Sequence, residues 1–175
     1  LGGYASDITR CLPVDAHFTP SARVVYEIVL AAQQAAFAAV RAGASVRAPH
    51  HAAVRVVVEG LVALGVLQGE VDALCASEAH RPYFPHSTSH YLGIDAHDPG
   101  VYWERDGSEA LLQANMVLTV EPGLYLPHDD EKVPPALRGL GMRLEDDVVV
   151  GLEGAQVLTS AFPRVVDEVE AACAQ

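Results

Sequence analysis

The residues best suited to chemistry lie in HSTSHYLGIDAHD, which runs from position 86 to position 98. This segment contains His86, His90 and His97, together with Asp95 and Asp98. His86 and His90 have the spacing of zinc ligands on a helix, but the neighbouring proline, glycine and hydroxyl residues predict a loop, and the glutamate of HExxH is absent. A single histidine is usually structural. Three histidines beside two aspartates favour a metal site.

A second candidate is the acid at the end of MVLTVEPGLYL, residues 116–126. Glu121 is costly to bury in so apolar a strand unless it is paired or ligates a metal. The Pro122–Gly123 step interrupts strand pairing, which often marks a special site. An exposed glutamate at a turn explains this strand equally well.

The segment GMRLEDDVVV, residues 141–150, strengthens the case for a buried polar site. Alternation in a strand places Arg143, Glu145 and Asp147 on one face. Such a charged face in an apolar strand favours a functional site, and the alternative is an edge strand with salt bridges along its rim. Asp7 in YASDITR predicts, by itself, only a surface aspartate.

The composition excludes several classes of protein. The 175 residues are 50% hydrophobic, which predicts one globular domain with a core. The formal charge of -12 argues against binding to nucleic acid or to anionic membranes. The apolar runs are too short to span a bilayer. The three cysteines form no CxxC pair, so we expect them to be small buried residues in a cytoplasmic protein.

The periodicity predicts the elements that position these residues. Helices are predicted over residues 20–43, about 45–65, 71–79 and 163–172. Strands are predicted over residues 4–14, 91–96, 116–126 and 141–150. This order predicts an α+β fold in which an antiparallel sheet carries helices on one face.

Taken in order, the segments resemble the pita-bread metallopeptidases, and most closely the Xaa-Pro aminopeptidases. The resemblance covers essentially the whole chain and includes GGYASDITR, FTPSARVVYEIVLAAQ, GLVALGVLQGEVDAL, HRPYFPHSTSHYLGIDAHDPGVY, MVLTVEPGLYL and GMRLEDDVVV. It implies a pita-bread fold and an enzyme that removes the residue preceding proline, using a hydroxide held by two divalent ions. Manganese is the usual ion, with cobalt or zinc as alternatives. An Xaa-Pro dipeptidase and a non-catalytic binding module of the same fold are the alternative functions.

The resemblance also assigns roles to individual residues. Four metal ligands are implied: Asp7, His90, Glu121 and Glu145. Asp7 and Glu145 would bridge both ions, while His90 and Glu121 would bind one of them. Glu121 would also handle the proton of the attacking hydroxide.

Three further residues are implied to act on the substrate. His97 would contact the scissile peptide and stabilise its developing charge, which makes it catalytic as well as substrate-binding. His86 would shape the substrate pocket. Arg143 would orient nearby carboxylates and the substrate.

The chain departs from the family at its start. The family's first metal-binding aspartate precedes the SDITR aspartate by more residues than this chain has before Asp7. We therefore expect residues 1–175 to be the C-terminal part of a single catalytic domain, without its upstream part and the usual N-terminal domain. The second metal site would be incomplete, and the chain alone weakly active or inactive. The parent protein is expected to be a homodimer or homotetramer that acts on peptides with proline at the second position.

Overall fold

The computed structural model describes residues 2–174. The α-helices are α1 (Pro20–Ala39), α2 (Ala48–Ala63), α3 (Val71–Ala76) and α4 (Val166–Cys173). The strands are β1 (Val117–Val120), β2 (Gly123–Tyr125), β3 (Gly141–Arg143), β4 (Asp146–Val150) and β5 (Ala155–Val157), and Pro135–Leu137 form one 3-10 turn. The predicted α+β class is confirmed.

Helix α1 begins as the sequence predicts. Thr19 Oγ1 accepts a hydrogen bond of 3.2 Å from the backbone N–H of Ala22, and Pro20 lies in the first turn. Both features suit a helix start, because N–H groups there lack partners within the helix. The helix ends at Ala39, earlier than predicted, because Val40 is already extended.

Helices α1 and α2 pack closely and form much of the core. Val25 and Val29 of α1 and Leu61 of α2 have no exposed surface. Gly60 makes this approach possible, because a Cβ atom there would lie 2.7 Å from Ile28 Cγ2. Helix α1 also contacts β1, β2 and β3, so it packs against both sheets.

The strands form two antiparallel sheets. Strand β4 lies between β1 and β5 in the first sheet, and β2 pairs with β3 in the second. The long strands predicted over 116–126 and 141–150 are therefore each interrupted. Pro122 explains one interruption, because proline has no N–H to donate to a neighbouring strand. At the other interruption, the Glu145 N–H donates instead to Thr9 O at 3.1 Å.

The strand register places two glutamates opposite each other. Val120 pairs with Asp146 in the first sheet, and the second sheet continues the same register. This register sets Glu121 opposite Glu145, each at an interruption between the sheets. The edge-strand alternative is wrong for β4, which is the central strand of its sheet and is largely buried.

The strands predicted over 4–14 and 91–96 are reduced to isolated bridges. Thr9 bridges Glu145, and Tyr91 bridges Leu118. Residues 4–14 are held mainly by side-chain hydrogen bonds, which periodicity does not report. Residues 91–96 keep backbone bonds, such as Leu92 N–H to Val117 O at 3.1 Å. The three cysteines are partly buried at the border of the core, so full burial was too strong an expectation. Among residues 2–174, no helix is long and apolar enough to cross a lipid bilayer.

Candidate metal centre

The structure brings all four predicted ligands to the interruption between the two sheets. His90 Nε2 lies 3.4 Å from Glu121 Oε1 and 3.7 Å from Asp7 Oδ2. Ligand atoms of His90, Glu121 and Glu145 all lie within 4.8 Å of one another. The side chains of His90 and Glu121 are each 13% exposed, so Glu121 is not the exposed turn residue of the simpler interpretation.

The hydrogen bonds of His90 fix which ring nitrogen faces this cluster. Nδ1 lies 3.0 Å from Tyr91 O, and a carbonyl oxygen can only accept, so Nδ1 carries the proton. In the neutral ring, Nε2 then directs its lone pair at the carboxylates of Glu121 and Asp7. A bound cation or a shared proton would relieve the repulsion in that arrangement, and a second ring nitrogen bonded to a carbonyl is typical of metal-binding histidines.

The carboxylates give the same indication independently. Burial and, next, the neighbouring Glu145 together raise the pKa of Glu121 to about 7. Burial also raises the pKa of Glu145, which is 3% exposed. Like charges opposite each other in a sheet are destabilising. The donor set therefore fits hard divalent cations, for which carboxylates and imidazole are suitable ligands.

The position of Asp7 is fixed by contacts of the N-terminal segment with β4 and with Glu145, the residue just before β4. The Asp7 N–H donates to both carboxylate oxygens of Asp147, at 3.3 and 3.2 Å. The Thr9 hydroxyl donates to Glu145 Oε2. Arg10 Nη1 donates to Glu145 O at 2.7 Å, so hydrogen bonds from three residues, Asp7, Thr9 and Arg10, fix this segment to the site.

A buried ion-pair network anchors the opposite face of β4. Asp146 has no exposed surface and accepts hydrogen bonds from Arg10 Nη2 at 2.7 Å, Gln33 Nε2 at 3.0 Å and Arg164 Nη1 at 3.3 Å. Because its charge is matched by these partners, Asp146 is structural. The two adjacent aspartates of β4 thus differ in role: Asp146 faces the core, while Asp147 faces the candidate metal centre.

The three predicted substrate residues line an open cleft of about 690 Å³ next to the ligands. His97 is exposed, and its ring lies 4.1 Å from the His90 ring between centroids. Arg143 Nη1 lies 3.5 Å from Glu121 Oε2. A ring nitrogen of His97 also lies within 4.8 Å of ligand atoms of Asp7 and His90, so His97 could itself bind metal. A test of His97 must therefore separate catalysis from metal binding.

His86 lines the cleft with both ring nitrogens already bonded. Nδ1 lies 2.8 Å from Ser87 O and so donates, and Nε2 lies 2.8 Å from the Tyr125 hydroxyl and so accepts. Burial lowers the pKa of His86, which favours this neutral form. The ring can therefore contact a substrate with its face or edge, while Nε2 holds the Tyr125 hydroxyl in place.

Sequence reasoning missed several residues of this site. Thr9 lies two positions after Asp7 in an extended segment, so the two side chains point to the same face, and this spacing could have identified Thr9. Asp147 was noted on the correct face but received no role. Arg47 and Trp103 also line the cleft, and neither belongs to a motif that would have identified it.

A group of further histidines lies beside the cleft. His50 Nδ1 lies 3.0 Å from Thr88 Oγ1, and ring centroids of Phe84 and His80 lie 5.5 and 6.1 Å away. Burial and, to a smaller extent, four neighbouring groups lower the pKa of His50 to about 3. The four neighbours are Arg47, His80, His51 and His86.

This environment predicts acid sensitivity. Below pH 6.5 the unfolded chain protonates His50, whereas the folded chain resists until about pH 3. The free energy of unfolding should therefore fall by about 1.4 kcal/mol per pH unit from this group across that interval. Above pH 6.5 the contribution vanishes, because His50 is neutral in both states. Urea unfolding at several pH values measures this decline. His50→Gln should reduce the loss of unfolding free energy per pH unit, and the exposed control His128→Gln should not. The same loss per pH unit in wild type and His50→Gln would contradict the prediction.

Known proteins resemble this chain in fold and in sequence. The chain is 47% identical over 169 residues to the Xaa-Pro aminopeptidase of Escherichia coli, covering 97% of this chain and 38% of that protein. It superposes on the aminopeptidase PepP of Pseudomonas aeruginosa with a TM-score of 0.96 and 44% identity, covering 99% of this chain and 39% of the other. It also matches proline aminopeptidase P II of Yersinia pestis with a TM-score of 0.91 and 48% identity, covering 98% and 39%.

The two antiparallel sheets, the supporting helices and the acidic cluster at the strand interruptions place the chain among proteins of the pita-bread fold. Residues 1–151 match metallopeptidase family M24, and the chain belongs to that family. It spans about two fifths of the length of the relatives described above.

Proposed function

We propose that the chain supplies most of the active site of a metal-dependent Xaa-Pro aminopeptidase. The observation that carries this proposal is the convergence of Asp7, His90, Glu121 and Glu145, with the His90 lone pair directed at carboxylates. Similarity to proteins named as Xaa-Pro aminopeptidases supports the substrate class, which is a peptide with proline at the second position.

These four residues would hold divalent cations; the family resemblance makes manganese our first choice, and a donor set rich in carboxylate oxygen suits such a hard ion. When bound, such ions polarise the scissile carbonyl and make water a better nucleophile. Glu121, whose Oε2 is oriented by Arg143, would take up the proton of the nucleophile. His97 would donate a ring N–H to the carbonyl oxygen as negative charge develops there.

An Xaa-Pro dipeptidase is the alternative enzyme, and a metal-free binding module is the alternative of a different class. Product analysis in Mn²⁺ separates the three, using Ala-Pro-Leu beside Ala-Pro and the protein expressed from its full reading frame. Release of alanine from the tripeptide, abolished by a chelator, is the expected result. Cleavage of the dipeptide alone would indicate the dipeptidase. Cleavage of neither peptide would favour the binding module.

We further propose that residues 1–175 form the C-terminal part of one catalytic domain, and that the chain alone is weakly active or inactive. Its four ligands are enough for one ion, while a second ion would need a further carboxylate from an upstream segment. We therefore expect one Mn²⁺ per chain at saturation, measured by elemental analysis after gel filtration. Two ions per chain at full occupancy would contradict this prediction.

The location and assembly of the protein are also proposals. Its three cysteines are free, which is typical of proteins in a reducing compartment and supports the cytoplasm. The family resemblance supports a homodimer or homotetramer, which light scattering of the full-length protein would test.

A further inference from the structure

Arg47 is a cleft residue that the proposed mechanism does not use. It immediately precedes α2, and its side chain is 31% exposed. It lines the main cleft and two adjoining cavities, which makes it the boundary between the candidate metal centre and the histidine group around His50. A cation at such a junction can contact a peptide that extends beyond the reacting bond.

A short hairpin holds the Arg47 side chain in place. Trp103 bridges Glu109 across the hairpin, and the Arg47 guanidinium lies 5.5 Å from the centre of the indole ring. Arg47 Nε lies 3.5 Å from Glu109 Oε1, and the Ser45 hydroxyl donates to Glu109 Oε2. Glu109 therefore fixes the stem of the guanidinium, while Trp103, which is 53% exposed, faces the cleft beside it.

The outer part of the guanidinium has donors to spare. An arginine offers five N–H donors, and the contacts that the structure shows for the Arg47 side chain are Nε with Glu109 Oε1 and the guanidinium over the Trp103 ring. Paired guanidinium donors suit a carboxylate, which can accept two parallel hydrogen bonds. The other arginine of the cleft differs, because Arg143 Nη1 already faces Glu121.

The charges of the cleft favour one orientation of a peptide. Asp7, Glu121 and Glu145 repel a carboxylate and attract an amino terminus, whereas Arg47 does the opposite. We propose that Arg47 and Trp103 form a subsite for peptide carboxylates, in which the guanidinium binds a C-terminal carboxylate or an acidic side chain and the indole packs against the peptide. The proposal rests on the proposed function, because it takes the cleft to bind peptides.

Trp103 is the sole tryptophan of the sequence, so its emission reports binding at this subsite without any turnover. The protein is titrated in chelator with Ala-Pro-Leu as free acid and as amide, and with the amides of Ala-Pro-Glu and Ala-Pro-Gln. Calorimetry gives the Kd values. We expect a carboxylate-bearing peptide to bind about tenfold more tightly than its neutral counterpart and to change the Trp103 emission. The first peptide pair tests the C-terminal carboxylate, and the second tests the acidic side chain.

Arg47→Met should abolish this preference, whereas Arg105→Met, which removes the same charge from the exposed hairpin tip, should retain it. Glu109→Gln should strengthen binding several-fold, because it removes a negative charge that repels the ligand's carboxylate while the amide oxygen can still face Arg47 Nε; this keeps the proposal testable if Arg47→Met fails to fold. Equal binding of acids and amides, a preference that survives Arg47→Met, or binding that leaves Trp103 emission unchanged would each overturn it. Because no cleavage is measured, absence of peptidase activity would count against the proposed function and leave the subsite standing.

Discussion

His97→Ala is expected to lower kcat by about 100- to 1,000-fold while the protein keeps its divalent metal, because a donor to developing negative charge acts mainly in the transition state. His97 is exposed at the cleft, whereas the side chain of His90, whose ring lies 4.1 Å away between centroids, is 13% exposed. Its N–H can thus reach a substrate carbonyl while the ligands stay in place. The measurement is tripeptide hydrolysis by the full-length protein, with metal content determined on the same samples.

The matched control is His128→Ala, which removes an exposed histidine that does not line the cleft. It should leave both kcat and metal content unchanged. If His97→Ala loses metal in proportion to activity, His97 is a ligand together with Asp7 and His90, and the catalytic role assigned to it is wrong.

Glu145→Gln is expected to have opposite effects on the metal-free and the metal-loaded protein. Without metal, the variant should be at least as stable as wild type, with a gain of up to about 1 kcal/mol, because the amide removes a buried charge opposite Glu121. The amide oxygen can still accept the hydrogen bond of the Thr9 hydroxyl, so the local packing is preserved.

With metal, the order reverses. Wild-type protein at 100 times the Kd for Mn²⁺ should gain about 2.7 kcal/mol, or roughly 5 to 10 °C in Tm, whereas Glu145→Gln should gain little. Thermal unfolding with and without Mn²⁺ measures both effects. Glu153→Gln makes the same change at an exposed position and should behave as wild type. A Glu145→Gln protein that is destabilised without metal and still stabilised by Mn²⁺ would show that Glu145 is structural.

The helices and the type of fold could be predicted because local physics determines them. Threonine before proline marks the start of α1, and apolar residues recur along it at helical spacing. Strand breaks at Glu121 and Glu145 were harder to foresee, although Pro122 marked one of them. The second break results from a hydrogen bond to Thr9, a contact between distant parts of the chain that no local pattern reports.

In the site, too, local sequence patterns identify some residues and miss those placed by distant contacts. Unusual acids in apolar strands made Glu121 and Glu145 recognisable, and the density of histidines made His90 and His97 recognisable. Asp7 needed the family resemblance, because one aspartate in an extended segment carries no signal of its own. Arg47 could not be found from sequence, since only the folded hairpin brings Trp103 beside it.

Anomalous diffraction from crystals of the chain soaked in Mn²⁺, recorded near the manganese absorption edge, tests the metal centre most directly. We predict a strong peak bounded by His90 Nε2 and the carboxylate oxygens of Asp7, Glu121 and Glu145, and its loss in His90→Ala crystals. A soaked crystal without density there, or with its main peak among His50, His51 and His80, would contradict the assignment of this cluster as the metal centre.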